Sequence, residues 1–180
     1  KEKGYQSFDW YDYIVQRNAP QASINANISG GGKETKYYVS VSHLSQDAAF
    51  RDYKYRRSNV QSNFETNIGK RMRAGVNLSG RIDSKRNPAV SGADPDDYWQ
   101  PRNALLNLLP TERPYANDNP MYISATQVPE ANWAGINYRN SGSYKYDLRV
   151  MQANMFAEYK SYYVPGLTGR VTYSYQMADN

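Results

Sequence analysis

Apolar and polar residues alternate one by one along six segments of this chain. Residues 22–29 read Ala-Ser-Ile-Asn-Ala-Asn-Ile-Ser, so every second side chain is apolar. The same alternation recurs in five further segments: residues 36–44, 58–68, 71–83, 151–159 and 167–177. Phe156 is the one exception, on the polar side of the fifth segment. Successive side chains of a β-strand point to opposite faces of a sheet, so the pattern predicts an all-β fold with six strands.

The connections between the predicted strands alternate between short and long. Glycine-containing turns at residues 30–35, 69–70 and 164–166 are short, as in tight hairpins. The second connection, around residues 47–52, is more irregular, and the fourth covers residues 85–145. In an up-and-down antiparallel sheet, alternate connections lie at the same end. Short turns at one end and long loops at the other are typical of a bacterial transmembrane β-barrel.

This interpretation divides the chain into four parts. Residues 1–20 are a lead-in with a short helix or loop, residues 21–84 four barrel strands, residues 85–145 a long extracellular loop, and residues 146–180 two further barrel strands. Ten strand residues at a tilt near 45° span about 23 Å, close to the apolar height of an outer membrane. Six strands cannot close such a barrel, so we expect a fragment of a larger barrel without its plug domain. No charged-then-apolar leader opens the chain, and we expect no signal peptide in it.

The two faces of the predicted strands differ in chemistry. The apolar face consists of Ala, Met and single Val or Ile residues, a thin coat that suits lipid better than a second packed sheet. The polar face suits a wide, wet lumen. The residues that we predict to face this lumen are Asn25, Asn27, Asn63, Glu65, Arg71, Arg73, Asn77, Arg81, Gln152, Asn154 and Arg170. A soluble β-sandwich or lipocalin-like barrel also alternates and remains the alternative.

The composition excludes several classes of protein and site. The 180 residues contain no cysteine, which excludes disulfides, Cys-ligated zinc and a thiol nucleophile. The single histidine, His43, has no cluster of partners, so we expect no enzyme, no metal site and no cofactor. The net charge of +5 comes from basic residues spread over strand faces and turns, unlike the clustered surface of a nucleic-acid binder. Nucleic acid is therefore not an expected partner.

The long connection carries the best candidates for contact with a ligand. Aromatic rings beside amide and guanidinium donors suit sugar rings or peptide backbones. The candidates are Tyr98, Trp99, Tyr115, Tyr122, Trp133 and Tyr138. The alternative is that these rings pack the loop against itself or against a protein that covers it. Asp94 and Pro95 also predict the start of a short helix, and Pro101 either interrupts it or begins a second one over residues 103–109.

Several short motifs follow one another along the strands and tight turns. They are, in order, Asp9-Trp10, Ala19-Pro20-Gln21, Ile28-Ser29-Gly30-Gly31, Tyr37-Tyr38-Val39-Ser40, Gly75-Val76-Asn77-Leu78-Ser79, Ala157-Glu158-Tyr159 and Pro165-Gly166-Leu167. In order and spacing they resemble a barrel segment of the SusC/RagA-type TonB-dependent transporters. The resemblance covers about two thirds of the chain, mainly strands and tight turns.

The resemblance implies a concrete architecture and role. Such transporters are single-chain barrels of about 22 strands, plugged by an N-terminal domain, in the outer membrane of Bacteroidota. They import oligosaccharides or peptides with energy relayed by TonB, and a SusD-like surface lipoprotein covers the mouth. The implied partners are therefore the remaining strands and plug of the parent chain, the SusD-like lipoprotein, the TonB system and outer-membrane lipid. The alternative is a soluble or surface-exposed all-β carbohydrate-binding module.

Overall fold

The computed structural model describes residues 7–89, 99–128 and 132–180. The strands are β1 (Gln21–Gly31), β2 (Thr35–Asp47), β3 (Lys54–Ile68), β4 (Met72–Pro88), β5 (Ser143–Lys160) and β6 (Thr168–Asp179). The α-helices are α1 (Trp10–Ile14) and α2 (Trp99–Asn107), and short 3₁₀ turns cover Ala116–Asp118 and Trp133–Gly135. None of the helices in these ranges is long and apolar enough to cross a membrane.

All six strands form one antiparallel sheet in the order β1-β2-β3-β4-β5-β6. In the last pair, Met151 lies opposite Met177, and Glu158 lies opposite Arg170. Each strand pairs with its neighbours in sequence, which confirms the predicted all-β, up-and-down topology. In the described part of the chain the sheet is open, with β1 and β6 at its edges.

Several strands are longer than the alternation predicted. β3 begins at Lys54 rather than at residue 58, β4 continues to Pro88, and β5 begins at Ser143 rather than at residue 151. The extension of β4 includes Ser-Lys-Arg-Asn at residues 84–87, which is polar on both faces. Such a segment has no period-two signal, because pairing with its neighbours depends on backbone groups and not on an apolar face.

The helices follow local capping rules. Asp9 caps α1, since its carboxylate accepts a hydrogen bond from the backbone N–H of Asp12 at 2.9 Å. α2 contains Pro101 and ends at Asn107. The prediction that this proline interrupts a helix or begins one over residues 103–109 is therefore wrong in its bounds. The proline is tolerated because it lies in the first turn, where a helical N–H has no intrahelical acceptor. The predicted helix start at Asp94 lies outside the described residues.

The chain divides into two compact units. We call the first the loop unit; it consists of Lys1–Gln21, Gln46–Tyr55 and Lys85–Lys145. We call the second the sheet unit; it consists of Ala22–Ser45, Arg56–Ser84 and Tyr146–Asn180.

The loop unit has an aromatic core built from distant parts of the sequence. The ring of Trp133 stacks on Tyr53, with 6.3 Å between ring centroids and an interplanar angle of 14°. Trp10 is buried in α1, and its indole N–H donates to the carbonyl of Leu109 at 3.0 Å. The core comprises Trp10, Ile14, Tyr53, Ala104, Leu108, Trp133 and Ile136. The lead-in, the β2–β3 connection and the long connection therefore fold together.

The sheet unit has no such core. Its apolar side chains are exposed on one face of a single layer, with Ile24 at 71% and Val171 at 74% of full exposure. Among the described residues of this unit, Asp83 is the only buried one. A sheet normally buries its apolar face against another layer, so this face needs an apolar partner outside the described residues.

Candidate functional site

The polar face of the sheet unit is organised by charged pairs. Asp83 is 8% exposed and lies between two guanidinium groups. Arg57 Nε donates to Asp83 Oδ1 at 2.6 Å, and Arg81 Nε lies 2.9 Å from Asp83 Oδ2. One carboxylate thereby joins β3 and β4 on the side predicted to face a lumen. Such charge-assisted bonds fix the direction of both guanidinium groups.

A second cluster on the same face surrounds Phe156, the one apolar residue among polar neighbours. Its ring lies over Gly75, where a Cβ would approach Phe156 Cε1 to 2.5 Å. The guanidinium carbons of Arg170 and Arg73 lie 4.3 and 5.8 Å from the ring centroid. Arg73 also donates to Glu65 at 2.8 Å. The ring is thus held between two cations, which explains its place on a polar face.

Amide side chains line a shallow groove at the middle of the same face. Asn63, Asn77 and Asn154 come together there from β3, β4 and β5, around a cavity of about 270 Å³. Gln152 donates to Gln176 Oε1 at 3.1 Å and accepts from Ser79 Oγ at 3.4 Å. Amides offer both donors and acceptors, so this groove can hydrogen-bond neutral polar ligands such as sugar hydroxyls or peptide groups.

Three predicted lumen residues, Asn25, Asn27 and Arg71, are not part of the three groups described above. Asn25 and Asn27 are exposed on the edge strand β1. Arg71 precedes β4 in the turn, and its guanidinium carbon lies 4.2 Å from the ring centroid of Tyr162. The structure therefore joins eight of the eleven residues in three polar clusters: Glu65, Arg73 and Arg170; Asn63, Asn77, Asn154 and Gln152; and Arg81.

Trp133 is a core residue of the loop unit. It is 3% exposed and lies against Tyr53 and Phe50, with ring centroids 6.3 and 6.4 Å away. Burial raises the pKa of Tyr53 to about 12. The indole of Trp133 is therefore enclosed by the protein itself in this conformation.

Tyr115 and Tyr138 are half-buried and already bonded. The hydroxyl of Tyr115 lies 3.1 Å from that of Tyr13, and burial together with this contact raises the pKa of Tyr13 above its ordinary value. The hydroxyl of Tyr138 donates to the carbonyl of Arg86 at 3.3 Å, and the Arg86 guanidinium lies 4.4 Å from its ring centroid. Both hydroxyl groups are therefore engaged within the loop unit, which leaves limited surface for a ligand.

Among the candidates that the structure describes, Trp99 and Tyr122 are the most exposed. Trp99 begins α2 and is 53% exposed, and Tyr122 is 65% exposed in the following loop. Exposed rings are suited to stacking on sugars or on apolar side chains of another protein. Tyr98 lies outside the described residues.

Two residues without any notable sequence signal hold the loop together. The buried Asn132 donates to the carbonyls of Pro114 and Ser124 at 3.2 and 2.6 Å, and its Oδ1 accepts from Ala134 N at 3.0 Å. The Glu112 carboxylate accepts from the backbone of Leu109 at 2.7 Å and also from that of Gln127. Neither residue stands in a periodic pattern, and only their hydrogen-bond partners reveal their role.

The described residues include no group of three or more His, Cys, Asp or Glu side chains that could hold a metal ion. His43 is exposed in β2, and its Nδ1 lies 2.9 Å from Ser58 Oγ. The arrangement on the polar face and in the loop unit is one of hydrogen-bond donors, acceptors and exposed rings. It is suited to non-covalent recognition.

The chain is similar to a known receptor over part of its length. Over 83 residues it is 29% identical to TonB-dependent receptor P3 of Formosa agariphila. The match covers 46% of this chain and 8% of the relative, so the chain corresponds to a small part of that protein. No protein-family model matches the sequence. Together with the six-stranded all-β sheet, this similarity connects the chain with the TonB-dependent receptors as a broad group.

Proposed function

We propose that the chain is a wall segment of a SusC/RagA-type TonB-dependent importer of the outer membrane, which takes up oligosaccharides or peptides. The observation that carries the proposal is the division of the sheet unit into two unlike faces. One face exposes mainly apolar side chains such as Ile24 and Val171. The other holds the paired charges around Asp83 and the amide groove. Lipid outside and water inside would satisfy both faces at once.

The dimensions of the strands support the same proposal. On β4 the apolar positions alternate from Met72 to Ile82. Eleven residues at about 3.3 Å each and a tilt near 45° rise by about 25 Å, the height of the apolar band of an outer-membrane barrel.

The open edges imply a larger assembly. β1 and β6 would leave unpaired N–H and C=O groups, which cost several kcal/mol each in lipid. We infer that the remaining strands of the parent chain, in a barrel of about 22 strands, pair with these edges and that a plug fills the lumen. The TonB system would act through the parent chain, and a SusD-like lipoprotein would cover the long, extracellular connection.

In this proposal the loop unit contributes contacts and no covalent chemistry. Trp99 and Tyr122 are the aromatic residues most available to a ligand or to a covering protein. The proposed activity is energised transport through the whole barrel, without an enzymatic step or a cofactor in this segment.

A second candidate is a soluble or surface-exposed carbohydrate-binding module. It is favoured by one observation: the loop unit has its own buried core and still exposes Trp99 and Tyr122. Such a module would expose these rings for stacking on sugars.

The behaviour of the chain in detergent separates the two candidates. The 180-residue chain is expressed alone and analysed by size-exclusion chromatography in buffer and in detergent. A wall segment aggregates in buffer because its apolar face has no partner. A monodisperse, cooperatively folding monomer in buffer would instead support the binding module. In parallel, the full-length protein is followed by cell fractionation, where recovery outside the outer membrane would refute the transporter.

A further inference from the structure

A basic cavity lies at the short-turn end of the sheet unit. Its volume is about 520 Å³. Two backbone contacts hold its wall together: Asn67 N donates to the carbonyl of Glu34 at 2.7 Å, and Lys160 N donates to that of Arg71 at 2.9 Å. The basic side chains that line it are Lys33, Lys36, Lys70, Arg71, Arg73 and Lys160, which we call the basic cluster.

The cavity has an excess of positive charge. Six cations face the three carboxylates of Glu34, Glu65 and Glu158, which leaves 6 − 3 = +3. Glu65 is already committed to Arg73, with 2.6 Å between Glu65 Oε1 and Arg73 Nη2. The four lysines of the basic cluster are exposed, and none forms an ion pair with any residue in the described ranges. Their charge is available to an anionic partner.

The spread of the lysines indicates the size of that partner. They extend from the β1–β2 turn and β2 to the end of β5, three strand spacings or about 14 Å apart. A single phosphate or carboxylate cannot contact ammonium groups over this span. Lysine is also a point charge on a flexible stem, unlike the planar fork of arginine that binds one compact anion in two places. The geometry therefore favours several carboxylates distributed over a surface.

We propose that the basic cluster docks an acidic stretch of polypeptide inside the assembled barrel. This inference rests on the proposed function, because the barrel turns the polar face inward. The Asp or Glu side chains of the docked stretch pair with Lys36, Lys70 and Lys160. The docked stretch thereby neutralises a rim that would otherwise repel cations and attract small anions.

Zero-length cross-linking tests this docking in outer-membrane preparations of the full-length protein. A carbodiimide joins lysine Nζ to a carboxyl carbon as an amide, and the reagent takes up the released water as a urea. Peptide mapping by mass spectrometry should find Lys36, Lys70 or Lys160 linked to Asp or Glu outside these 180 residues. Lys54 is the internal control, since its Nζ lies 3.8 Å from Asp47 Oδ2 and should link there.

Charge-removing variants give the second measurement. The triple variant Lys36→Gln/Lys70→Gln/Lys160→Gln should weaken retention of the docked stretch about tenfold, measured as its release in urea, because three exposed ion pairs are lost. Lys145→Gln, in β5 but outside the cavity, should leave release unchanged. High salt should reduce the difference between wild type and the triple variant.

Three results would overturn the inference. The first is that the protein is in the outer membrane and Lys54 links to Asp47, but the lysines of the basic cluster form no cross-link or link only to Glu34, Glu65 or Glu158. The second is protection of these lysines by inorganic phosphate alone, which would identify a small-anion site. The third is recovery of the protein outside the outer membrane, which would refute the proposed function together with this inference. In the first two cases the transporter proposal stands.

Discussion

The loop unit buries a core of apolar side chains, whereas the sheet unit leaves its apolar side chains exposed. Every buried apolar side chain among the described residues belongs to the loop unit, including Trp10, Tyr53 and Trp133. The sheet unit leaves its apolar side chains exposed and buries only the carboxylate of Asp83. Burial of apolar surface is the main force for folding. The loop unit therefore carries its own source of stability, whereas the sheet unit depends on what surrounds it.

The largest expected loss of stability follows from the replacement of one buried tryptophan. Trp133→Ala should cost the loop unit about 3 to 5 kcal/mol, because a buried ring stacked on Tyr53 is replaced by a cavity. All three tryptophans of the chain, Trp10, Trp99 and Trp133, lie in the loop unit, so the remaining fluorescence in urea reports its unfolding. The matched control is Trp99→Ala at an exposed ring. Equal losses in the two variants would contradict a Trp133-centred core.

Two neighbours on β4 test the opposite faces of the sheet unit. Leu78→Arg should destabilise the assembled barrel by about 2 to 4 kcal/mol, because a charge enters the lipid near mid-height. Asn77→Arg should be nearly neutral, since its side chain lies on the amide-lined face. The measurement is folding of the full-length protein into lipid vesicles at increasing urea. If Asn77→Arg were the more costly change, the assignment of faces would be reversed.

Alkaline pH should weaken the loop unit through its buried phenols. Burial raises the pKa of Tyr53 from about 10 to about 12, so the folded state keeps a proton that the unfolded state releases. Stability is therefore fully present below pH 10 and falls between pH 10 and 12, by about 2 to 3 kcal/mol from this group. The raised pKa of Tyr13 acts in the same direction.

A double variant tests whether the two tyrosine hydroxyl groups cause this dependence of stability on pH. The double variant Tyr13→Phe/Tyr53→Phe should flatten the dependence of the tryptophan-detected urea midpoint on pH between 9 and 12. A slope that persists in this variant would show that other groups carry it.

The smallest expected effect concerns the ion pair between Glu65 and Arg73. Both side chains are partly exposed, at 33% and 43%, so water screens their attraction. A double-mutant cycle with Glu65→Gln and Arg73→Gln should give a coupling of about 0.2 to 1 kcal/mol that shrinks in high salt. The cycle is needed because Arg73 also contacts Phe156. A salt-independent coupling would contradict a screened pair.

The strand pattern was predictable because it depends on local periodicity. Residues 22–29 and 167–177 alternate without interruption, and the structure has strands β1 and β6 there. The extension of β4 was missed, since its residues are polar on both faces and its pairing uses backbone groups. The extension of β5 does alternate, but its apolar residues, such as Leu148 and Val150, stand at even positions, whereas those of residues 151–159 stand at odd positions. Phe156 interrupts the alternation because its ring fills the open space above Gly75 on the neighbouring strand β4.

The candidate site was predictable in residue type and not in exposure. Aromatic residues in the long connection stood out in the sequence, yet Trp133 and Trp99 look alike there. One is enclosed by Tyr53 and Phe50, and the other is open to solvent. Exposure depends on which distant residues come together, and no local pattern encodes that. The basic cluster was hidden for the same reason, because its lysines come from three separate parts of the sequence and line one cavity only in the folded sheet.

The sequence by itself determined the strands, their faces and their order, since alternation and turn chemistry act between neighbouring residues. The tertiary structure alone decided where apolar surface is buried. It assembled the core of the loop unit from three separated segments and left the apolar face of the sheet unit open. The physical reason is that the burial of a side chain depends on the residues that surround it in the fold, whereas its polarity depends only on its own chemistry.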